Sequence, residues 1–529
     1  MRMRLVVRGL LAVAFVWMVG ACGGETSDEL TIAIDSGTLH GGALDGIRHF
    51  YGIPYAAPPL GANRFRAPQP AMPWSTTLEA NLTGSQCPQS ISLAGSSNDE
   101  DCLYLNVWAP AGAHDLPVMV WLHGGAFIIG SGGDKYYDGA QLAKSGVIVV
   151  SLNYRLGLFG FLAHPQLRTD DPAFPTAGNY GLEDQRFALE WVKRNIAAFG
   201  GDPKHVTLFG ESAGGMSTCF LYLSSRATDL FQAAIAESGL CSSPLLEIPR
   251  DVAEAQAQTL ATKLGCAAND ATTIDCLRAK SPDELLAVTP LPAMTDPPGG
   301  PIYQPEILPG SLPTVDGYVV EQPMVAALAA AQYPVRPLIL GNVEDEGTLF
   351  HSPLFAQPVA DETGYRAALA MRFAPAAVDA IVAHYPVSQF ASANRALGQV
   401  TGDAFFLCPS RRFAKAVLDR GAVVYRYNFQ QALSSPFAPG LGVFHSSEIP
   451  FVFGNDTYPL GRIGDAMWIS TAMQAYWTEF AKIYDPNYEG GVAWPKYDGS
   501  EPQLVVAAPA ITTGKALDDD TCALWDALP

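Results

Sequence analysis

The stretch that most constrains this fold is residues 205–215, which read HVTLFGESAGG. Residues rich in β-formers lead into a Gly-x-Ser-x-Gly motif, and a run compatible with a helix follows at residues 216–223. A sharp strand-to-helix turn presents a serine hydroxyl to a histidine, and glycines two residues to either side relieve the crowding of the turn. The pattern predicts that Ser212 is a nucleophile. A glycine-rich loop that happens to contain a serine would show the same pattern. The assignment of Ser212 therefore depends on finding a base and an acid elsewhere in the chain.

The composition is that of a compact, loop-rich globular protein. Only 16% of the 529 residues are charged, and glycine (50) and proline (41) are frequent. No linker, repeat or low-complexity tract divides the chain, so we expect one domain over residues 31–529. The 52 acidic and 32 basic residues give a net charge of −20, which argues against binding to nucleic acid or to anionic lipid.

Residues 1–21 are predicted to be a signal peptide. Arginines at positions 2, 4 and 8 precede an apolar run at residues 9–19, and small residues precede Cys22. This cysteine and the polar tether up to residue 30 resemble the lipobox of bacterial lipoproteins; an ordinary signal peptide with an incidental cysteine is the alternative. No later stretch reaches the ~18–20 apolar residues that span a bilayer. We expect an exported protein, held at a bacterial cell envelope by lipid on Cys22, or otherwise periplasmic or secreted.

Short apolar runs alternate with amphipathic helical patterns, which is typical of an α/β fold. Continuous apolar runs indicate strands buried on both faces, and hence a mostly parallel central sheet flanked by helices. The helical patterns exceed what strand crossovers need, so some are expected to be helical insertions that cap the site. The predicted strands are residues 31–34, 49–53, 103–108, 118–122, 147–152, 206–209, 233–236, 338–340 and 423–429. The predicted helices are residues 184–198, 251–265, 319–332, 361–371, 391–405 and 465–483.

Residues 123–127, with the sequence HGGAF, follow directly on the predicted strand 118–122. In an open parallel sheet, catalytic groups gather in the loops beyond the carboxyl ends of the strands. Successive small residues let backbone amides approach one oxygen closely. We therefore expect this loop to contribute to an oxyanion hole rather than to be a simple glycine turn.

Three histidines follow Ser212, as the order nucleophile, acid, histidine requires. His351 comes too soon after the best acidic turn, and His384 has no strand before it. His445 lies in a glycine-containing loop after the predicted strand 423–429, and it is the preferred general base.

The acid should also follow a strand. The predicted strand 338–340 leads into a turn that carries three carboxylates, those of Glu344, Asp345 and Glu346. One of them would orient the imidazole, and the other two would belong to a solvated acidic turn. Position alone does not choose among them.

In this order, the motifs of the chain resemble those of the type-B carboxylesterase family of esterases and lipases, which includes the cholinesterases. The resemblance covers about residues 31–529 and implies an α/β-hydrolase fold. Besides the serine motif, the matching stretches are residues 50–56 (FYGIPYA), 64–68 (RFRAP), 100–106 (EDCLYLN), 123–127, 178–185 (GNYGLEDQ) and 445–449 (HSSEI).

The resemblance also implies roles for individual residues. It selects Glu346 as the acid of a triad with Ser212 and His445. It implies oxyanion donors at the backbone amides of Gly125, Ala126 and Ala213. It implies three disulfides, which are Cys87–Cys102, Cys266–Cys276 and Cys408–Cys522.

Two cysteines, Cys219 and Cys241, lie outside the set that the resemblance implies. Cys219 lies about two helical turns past Ser212, and Cys241 lies just beyond the predicted strand 233–236. That strand should neighbour the strand before Ser212, so we expect a fourth disulfide; two buried thiols are the alternative. No Cys or His spacing in the sequence suggests a metal site.

The chain departs from the family's pattern in residues 88–101, which contain no aromatic residue. The family's cholinesterases carry there a tryptophan that stacks on the substrate's quaternary ammonium, so cholinesterase activity is not expected. The same loop is short, which argues against the long lid of the family's fungal lipases.

These observations predict a serine carboxylic-ester hydrolase that acts on small neutral esters through an acyl-enzyme and needs no cofactor. A lipase, amidase or thioesterase would use the same triad, and a non-catalytic adhesion protein of the same fold is a further alternative. A membrane contact is expected only through the lipid on Cys22. The oligomeric state stays open.

Overall fold

The structure is a computed structural model that describes residues 29–90, 95–243, 247–289, 309–353, 355–435, 440–515 and 519–528. The predicted signal peptide and the predicted lipid attachment at Cys22 lie outside the described residues. Among the residues described, no helix combines the length and the apolarity needed to cross a bilayer.

A large sheet organises the described residues. Its strands are β3 (Gly42–Leu44), β4 (Ile47–Pro54), β6 (Tyr104–Pro110), β7 (Leu116–Leu122), β8 (Ile148–Leu152), β9 (Gly201–Glu211), β10 (Ala233–Glu237), β13 (Leu338–Val343), β14 (Val424–Phe429), β15 (Pro502–Val506) and β16 (Thr512–Lys515). They lie in the order β16-β15-β14-β13-β10-β9-β7-β8-β6-β4-β3. Smaller sheets pair β1 (Thr31–Ile34), β2 (Gly37–His40) and β5 (Leu78–Glu79), and β11 (Ile248–Pro249) with β12 (Thr314–Val315).

The strands from β8 to β15 in that order run parallel, and antiparallel strands close both edges. The predicted mostly parallel sheet is therefore confirmed. Every residue of β8, β10 and β13 is buried, as expected for strands covered on both faces. The sequence analysis did not predict β15 and β16, because β15 begins at a proline and β16 is mostly polar.

Helices cover both faces of the sheet. On β7, Val118 and Val120 face one hydrophobic core, and Met119 and Trp121 face the other. The helices are α1 (Ala140–Ala143), α2 (Gly157–Phe161), α3 (Tyr180–Asn195), α4 (Ala213–Leu223), α5 (Arg250–Lys263), α6 (Thr273–Arg278), α7 (Pro282–Ala287), α8 (Met324–Ala330), α9 (Glu362–Ala370), α10 (Pro375–His384), α11 (Ala393–Thr401), α12 (Cys408–Asp419), α13 (Ile449–Phe453), α14 (Met467–Ile483) and α15 (Asp519–Ala527).

Helices α9, α10 and α11 surround a third hydrophobic cluster that lies beside the sheet. The helix predicted at residues 391–405 ends as an α-helix at Thr401 and continues as a π-helical segment, Gly402–Leu407. That segment leads directly into α12, which the sequence analysis did not predict. The π-helical segment brings Phe406 from this third cluster to the ring of His445.

The described residues form four disulfides. The three bridges implied by the family resemblance are present, with Cα–Cα distances of 4.9 to 5.8 Å. The fourth, Cys219–Cys241, joins α4 to the chain just beyond β10 across a Cα–Cα distance of 5.7 Å. Strand β10 does pair with β9, which was the premise of that prediction.

Candidate active site

Ser212 stands on the turn between β9 and α4, where the predicted strand–turn–helix is present. Its backbone has φ +56° and ψ −120°, a conformation that is costly for a residue with a side chain. The Ser212 amide donates to the carbonyl of Glu237 at 2.9 Å, so the neighbouring strand β10 holds the turn in place. The side chain of Ser212 is half-buried, which leaves it open to a reactant.

The two glycines that flank Ser212 are required by close backbone packing. A Cβ on Gly210 would lie 2.6 Å from the carbonyl of Gly214. A Cβ on Gly214 would lie 1.9 Å from the carbonyl oxygen of Leu122, at the end of β7. Real Cβ atoms do not approach so closely, so the turn can form only with glycine at both positions. The crowding predicted from the sequence is confirmed.

His445 and Glu346 meet at the carboxyl ends of adjacent strands. Glu346 begins a 3₁₀ turn after β13, and His445 lies in the loop after β14. His445 Nδ1 lies 2.6 Å from Glu346 Oε2, and both side chains are buried. The other carboxylate oxygen, Oε1, accepts from the amide of Val343 at 3.1 Å and from Asn342 Nδ2 at 3.2 Å. These bonds fix the carboxylate against the ring.

The other two histidines lie elsewhere. His351 is buried with Nε2 2.6 Å from Thr401 Oγ1, and burial lowers its pKa to about 3. His384 lies in the last turn of α10, 3.5 Å from the hydroxyl of Thr521.

The sequence analysis expected the two carboxylates of this turn other than the triad acid to be solvated. The structure places only one of them in solvent. Glu344 is exposed and accepts hydrogen bonds from Asn428 and Gln430 at 3.0 and 2.7 Å. Asp345 instead forms an ion pair of 2.6 Å with Arg395, and its side chain is only 13% exposed. The expectation of a solvated carboxylate is therefore wrong for Asp345, because α11 brings a cation onto it.

The ring of His445 is packed on its sides and has an acidic neighbour at its far nitrogen. The rings of Phe350 and Phe406 lie 5.1 and 4.9 Å from the imidazole centroid. His445 Nε2 lies 3.2 Å from Glu211 Oε1, within ion-pair distance but not aligned for a hydrogen bond. Sequence reasoning gave Glu211 no role, although it stands next to Ser212 in the motif.

Three further buried carboxyl groups lie around this site. Desolvation raises the pKa of Glu211 and Glu448 well above the ordinary value, and the charges of neighbouring glutamates add to the effect. Desolvation also raises the pKa of Glu237 to about 8, although Trp477 Nε1 donates to its Oε1 at 2.7 Å. Glu448 Oε1 accepts from Ser238 Oγ at 3.3 Å. Sequence reasoning missed Glu237, because its partner Trp477 is 240 residues away.

The loop after β7 lies against the serine turn. A Cβ on Gly124 would lie 3.1 Å from Ser212 Cβ, so the two backbones are in close contact. Gly125 (φ +107°), Ala126 (φ +53°) and Phe127 (φ +62°) have left-handed conformations, which turn the chain sharply at the start of the loop. The Gly125 carbonyl accepts from the amides of residues 128 and 129 at 3.0 Å.

The side chain of His123 stabilises this loop. Its ring stacks on Tyr154 with centroids 4.3 Å apart, and its Nδ1 lies 2.7 Å from the carbonyl of Gly124. Tyr154 donates from its hydroxyl to the His123 carbonyl at 2.8 Å. Burial lowers the pKa of His123 to about 4, so the ring is neutral near pH 7. Within the described part of the chain, no three side chains of His, Cys, Asp or Glu are placed to hold a metal ion.

A serine on a strained strand–helix turn at the centre of a mostly parallel sheet, with a buried His–Glu pair at the ends of the next strands, defines a serine hydrolase of the α/β-hydrolase class. The chain belongs to the Carboxylesterase family, whose family model matches residues 28–525. It is a carboxylesterase, a serine hydrolase of carboxylic esters.

Three curated relatives align over most of their own length. The chain is 37% identical to a para-nitrobenzyl esterase of Bacillus subtilis (strain 168), with 90% of this chain and 94% of the relative aligned. It is 35% identical to an acetylcholinesterase of Bungarus fasciatus, with 94% and 86% aligned. It is also 35% identical to a fumonisin B1 esterase of Sphingopyxis macrogoltabida, with 93% and 90% aligned.

Proposed function

We propose that Ser212, His445 and Glu346 form the catalytic triad of a two-step acyl transfer. Ser212 Oγ attacks the ester carbonyl while His445 Nε2 takes its proton, and Glu346 holds the imidazole tautomer from Nδ1. His445 then protonates the leaving alcohol, and water repeats the cycle on the acyl-enzyme. The observation that carries this assignment is the 2.6 Å contact between His445 Nδ1 and Glu346 Oε2. The other ring nitrogen, Nε2, lies 3.2 Å from the carboxyl of Glu211, which directly precedes Ser212 on the strained turn.

The oxyanion of each tetrahedral intermediate would be bound by the backbone amides of Gly125, Ala126 and Ala213. In support, the loop that carries Gly125 and Ala126 packs on the serine turn, and Ala213 is the first residue of α4. An amide at a helix start has no partner within the helix and points toward the turn. Each such donor contributes roughly 3 kcal/mol of transition-state stabilisation.

A panel of p-nitrophenyl esters, with matched amide and thioester substrates, tests the activity. We expect ester hydrolysis that Ser212→Ala reduces by at least ~10³-fold without loss of folding. A fluorophosphonate should label Ser212 in the parent protein, with the labelled peptide identified by mass spectrometry. Labelling of another serine would refute the assignment, and faster turnover of the amide or thioester would change the substrate class.

The preferred substrates are small, neutral esters. Residues 88–101 offer no aromatic face to a quaternary ammonium, unlike the cholinesterases of the family. A choline ester therefore gains little over a neutral isostere. The missing cation–π contact removes about 0.5–2 kcal/mol of selectivity for choline. The groups near the triad are themselves acidic side chains, those of Glu211, Glu237 and Glu448, so an acidic ester would meet no cation among them.

A chain-length series of p-nitrophenyl esters, measured beside butyrylthiocholine and emulsified triolein, tests this preference. We expect the highest kcat/KM for short acyl chains and little turnover of triolein. A rate on triolein that exceeds the others and jumps above its solubility limit would show that a lid opens at an oil–water interface.

The chain is also proposed to be an exported lipoprotein anchored through Cys22. The basic, apolar and small-residue segments before Cys22 support this proposal, as does the polar stretch after it. In a bacterial host, Cys22→Ser should release the protein from the membrane fraction or block its maturation. A mature N-terminus at any residue other than 22 would overturn the proposal.

A further inference from the structure

The loop that carries His445 is held by the same turn that supplies Glu346. The amide of Asp345 donates to the carbonyl of Val443 at 2.9 Å, and Asp345 forms a parallel bridge with Phe444. In return, the amide of Val443 donates to Asp345 Oδ2 at 2.8 Å. One aspartate therefore bonds the histidine loop through both its backbone and its side chain, two residues before His445.

Arg395, which lies on α11, holds the side chain of Asp345 in place. Its Nη2 donates to Asp345 Oδ1 at 2.6 Å, and its Nη1 donates to the carbonyl of Leu441 at 3.3 Å. The hydroxyl of Thr348 donates to the same Leu441 carbonyl at 2.7 Å. Three points of the loop, residues 441, 443 and 444, are thus tied to the turn or to α11.

Gly442 lies against the Asp345–Arg395 pair, and a side chain at this position would have no room. Gly442 has φ +68°, and a Cβ there would lie 1.9 Å from Asp345 Oδ2 and 3.4 Å from Arg395 Nη1. A residue other than glycine would push the carboxylate off the loop. Asp345 is 13% exposed and Arg395 is 35% exposed. Solvent therefore reaches the pair from the arginine side, and its loss is expected to change the stability of the whole chain little.

We propose that Asp345 and Arg395 are positioning residues that set the place of His445 relative to Glu346 and Ser212. The inference rests on the triad proposed above. Neither residue touches the reacting atoms. They act through the loop, and a displacement of about 1 Å at a catalytic group can cost about 10²-fold in rate.

Asp345→Asn and Arg395→Met test the proposal. The asparagine keeps the shape of the side chain but removes its charge and one of its two accepting oxygens, and the methionine keeps the apolar stem. We expect each variant to lose about 10- to 100-fold in kcat on a short p-nitrophenyl ester, with KM within about threefold and little change in Tm. Arg395→Lys keeps the charge without the fork of donors and should recover only part of the rate.

The controls are nearby side chains that form no hydrogen bond with residues 441–445. Glu344→Gln changes the adjacent, exposed carboxylate, and Arg366→Met removes an exposed ion pair with Asp379 on the helices beside α11. Both should keep the parent's kcat.

The double variant Asp345→Asn/Arg395→Met should be no slower than the slower single variant, because the two residues act as one unit. Retained kcat in the single variants, a rise confined to KM, or losses that multiply would overturn the proposal.

A second readout does not depend on turnover. The proton between His445 Nδ1 and Glu346 should give a low-field proton resonance, identified by its loss in Glu346→Gln. Asp345→Asn and Arg395→Met should shift or broaden it, and Glu344→Gln should not. If the parent hydrolyses no ester but the resonance responds in this way, the proposed function fails and the positioning role stands. An unchanged resonance in both variants refutes the positioning role.

Discussion

Glu237 is buried at the end of β10 with its pKa raised to about 8, so its ionisation should cost folding stability as the pH rises. The folded protein keeps this carboxyl protonated over a range in which the unfolded chain, with the ordinary value of 4.5, has already ionised it. The native state then binds more protons, and stability falls as the pH rises from about 4.5 to about 8. The difference between about 8 and 4.5, at about 1.4 kcal/mol for each pKa unit, corresponds to about 5 kcal/mol.

Glu237→Gln isolates this effect. The amide oxygen can still accept from Trp477 Nε1, and the side chain can no longer ionise. About 4 kcal/mol of this difference falls between pH 5 and pH 9, because the unfolded chain has already lost most of its proton at pH 5. At about 1 °C per kcal/mol for a chain of this length, the Tm of the variant relative to the parent should rise by about 4 °C over that range. Calorimetry at one scan rate gives both values, even where unfolding is irreversible.

Glu489→Gln, at an exposed position, removes the same charge and should follow the parent at both pH values. If the Glu237 variant also runs parallel to the parent, the carboxylate is ionised in the fold at little cost. The pKa argument would then be wrong. A gap that widens toward low pH would reverse its sign.

The remaining predictions concern the turn, a disulfide and the triad acid. Gly214→Ala should abolish soluble, folded protein, because its Cβ would lie 1.9 Å from a carbonyl oxygen of β7; near-parent far-UV circular dichroism and Tm would contradict this. Replacing Cys219 and Cys241 with alanine should cost about 3 kcal/mol, as expected for a cross-link across 22 residues, and denaturant unfolding measures the loss. Glu346→Gln should lower kcat by about 10³- to 10⁴-fold, whereas Glu344→Gln should not; equal losses would remove the distinction between the two.

Local sequence patterns were sufficient wherever a short stretch determines its own conformation. Continuous apolar runs identified the central parallel strands, because a strand covered on both faces has no polar side to display. The glycines at 210 and 214 identified the serine turn, because only glycine fits between the crossing backbones. The order of the motifs along the chain was enough to predict the family, and the match to the Carboxylesterase family model confirmed that prediction.

Sequence position alone could not assign the three carboxylates of the acidic turn. Glu344, Asp345 and Glu346 are consecutive, and their surroundings come from three distant segments. Glu344 faces β14 and solvent, Asp345 meets α11 and the histidine loop, and Glu346 meets the imidazole. Only the family resemblance singled out Glu346 in advance, and nothing in the sequence pointed to the Arg395 ion pair.

By itself, the sequence determined the layered α/β architecture, the serine turn and the set of residues that could take part in catalysis, because local backbone geometry and apolar periodicity are written in neighbouring residues. The tertiary structure decided which of these residues meet. Glu211, Glu237, Glu346 and Glu448 come from separate strands and loops, and they come near one another only where parallel strands end at the same edge of the sheet. Two of them, Glu211 and Glu346, contact His445. The raised pKa values of Glu211, Glu237 and Glu448 arise from burial, and for Glu211 and Glu448 also from neighbouring glutamates, and both effects depend on neighbours in space.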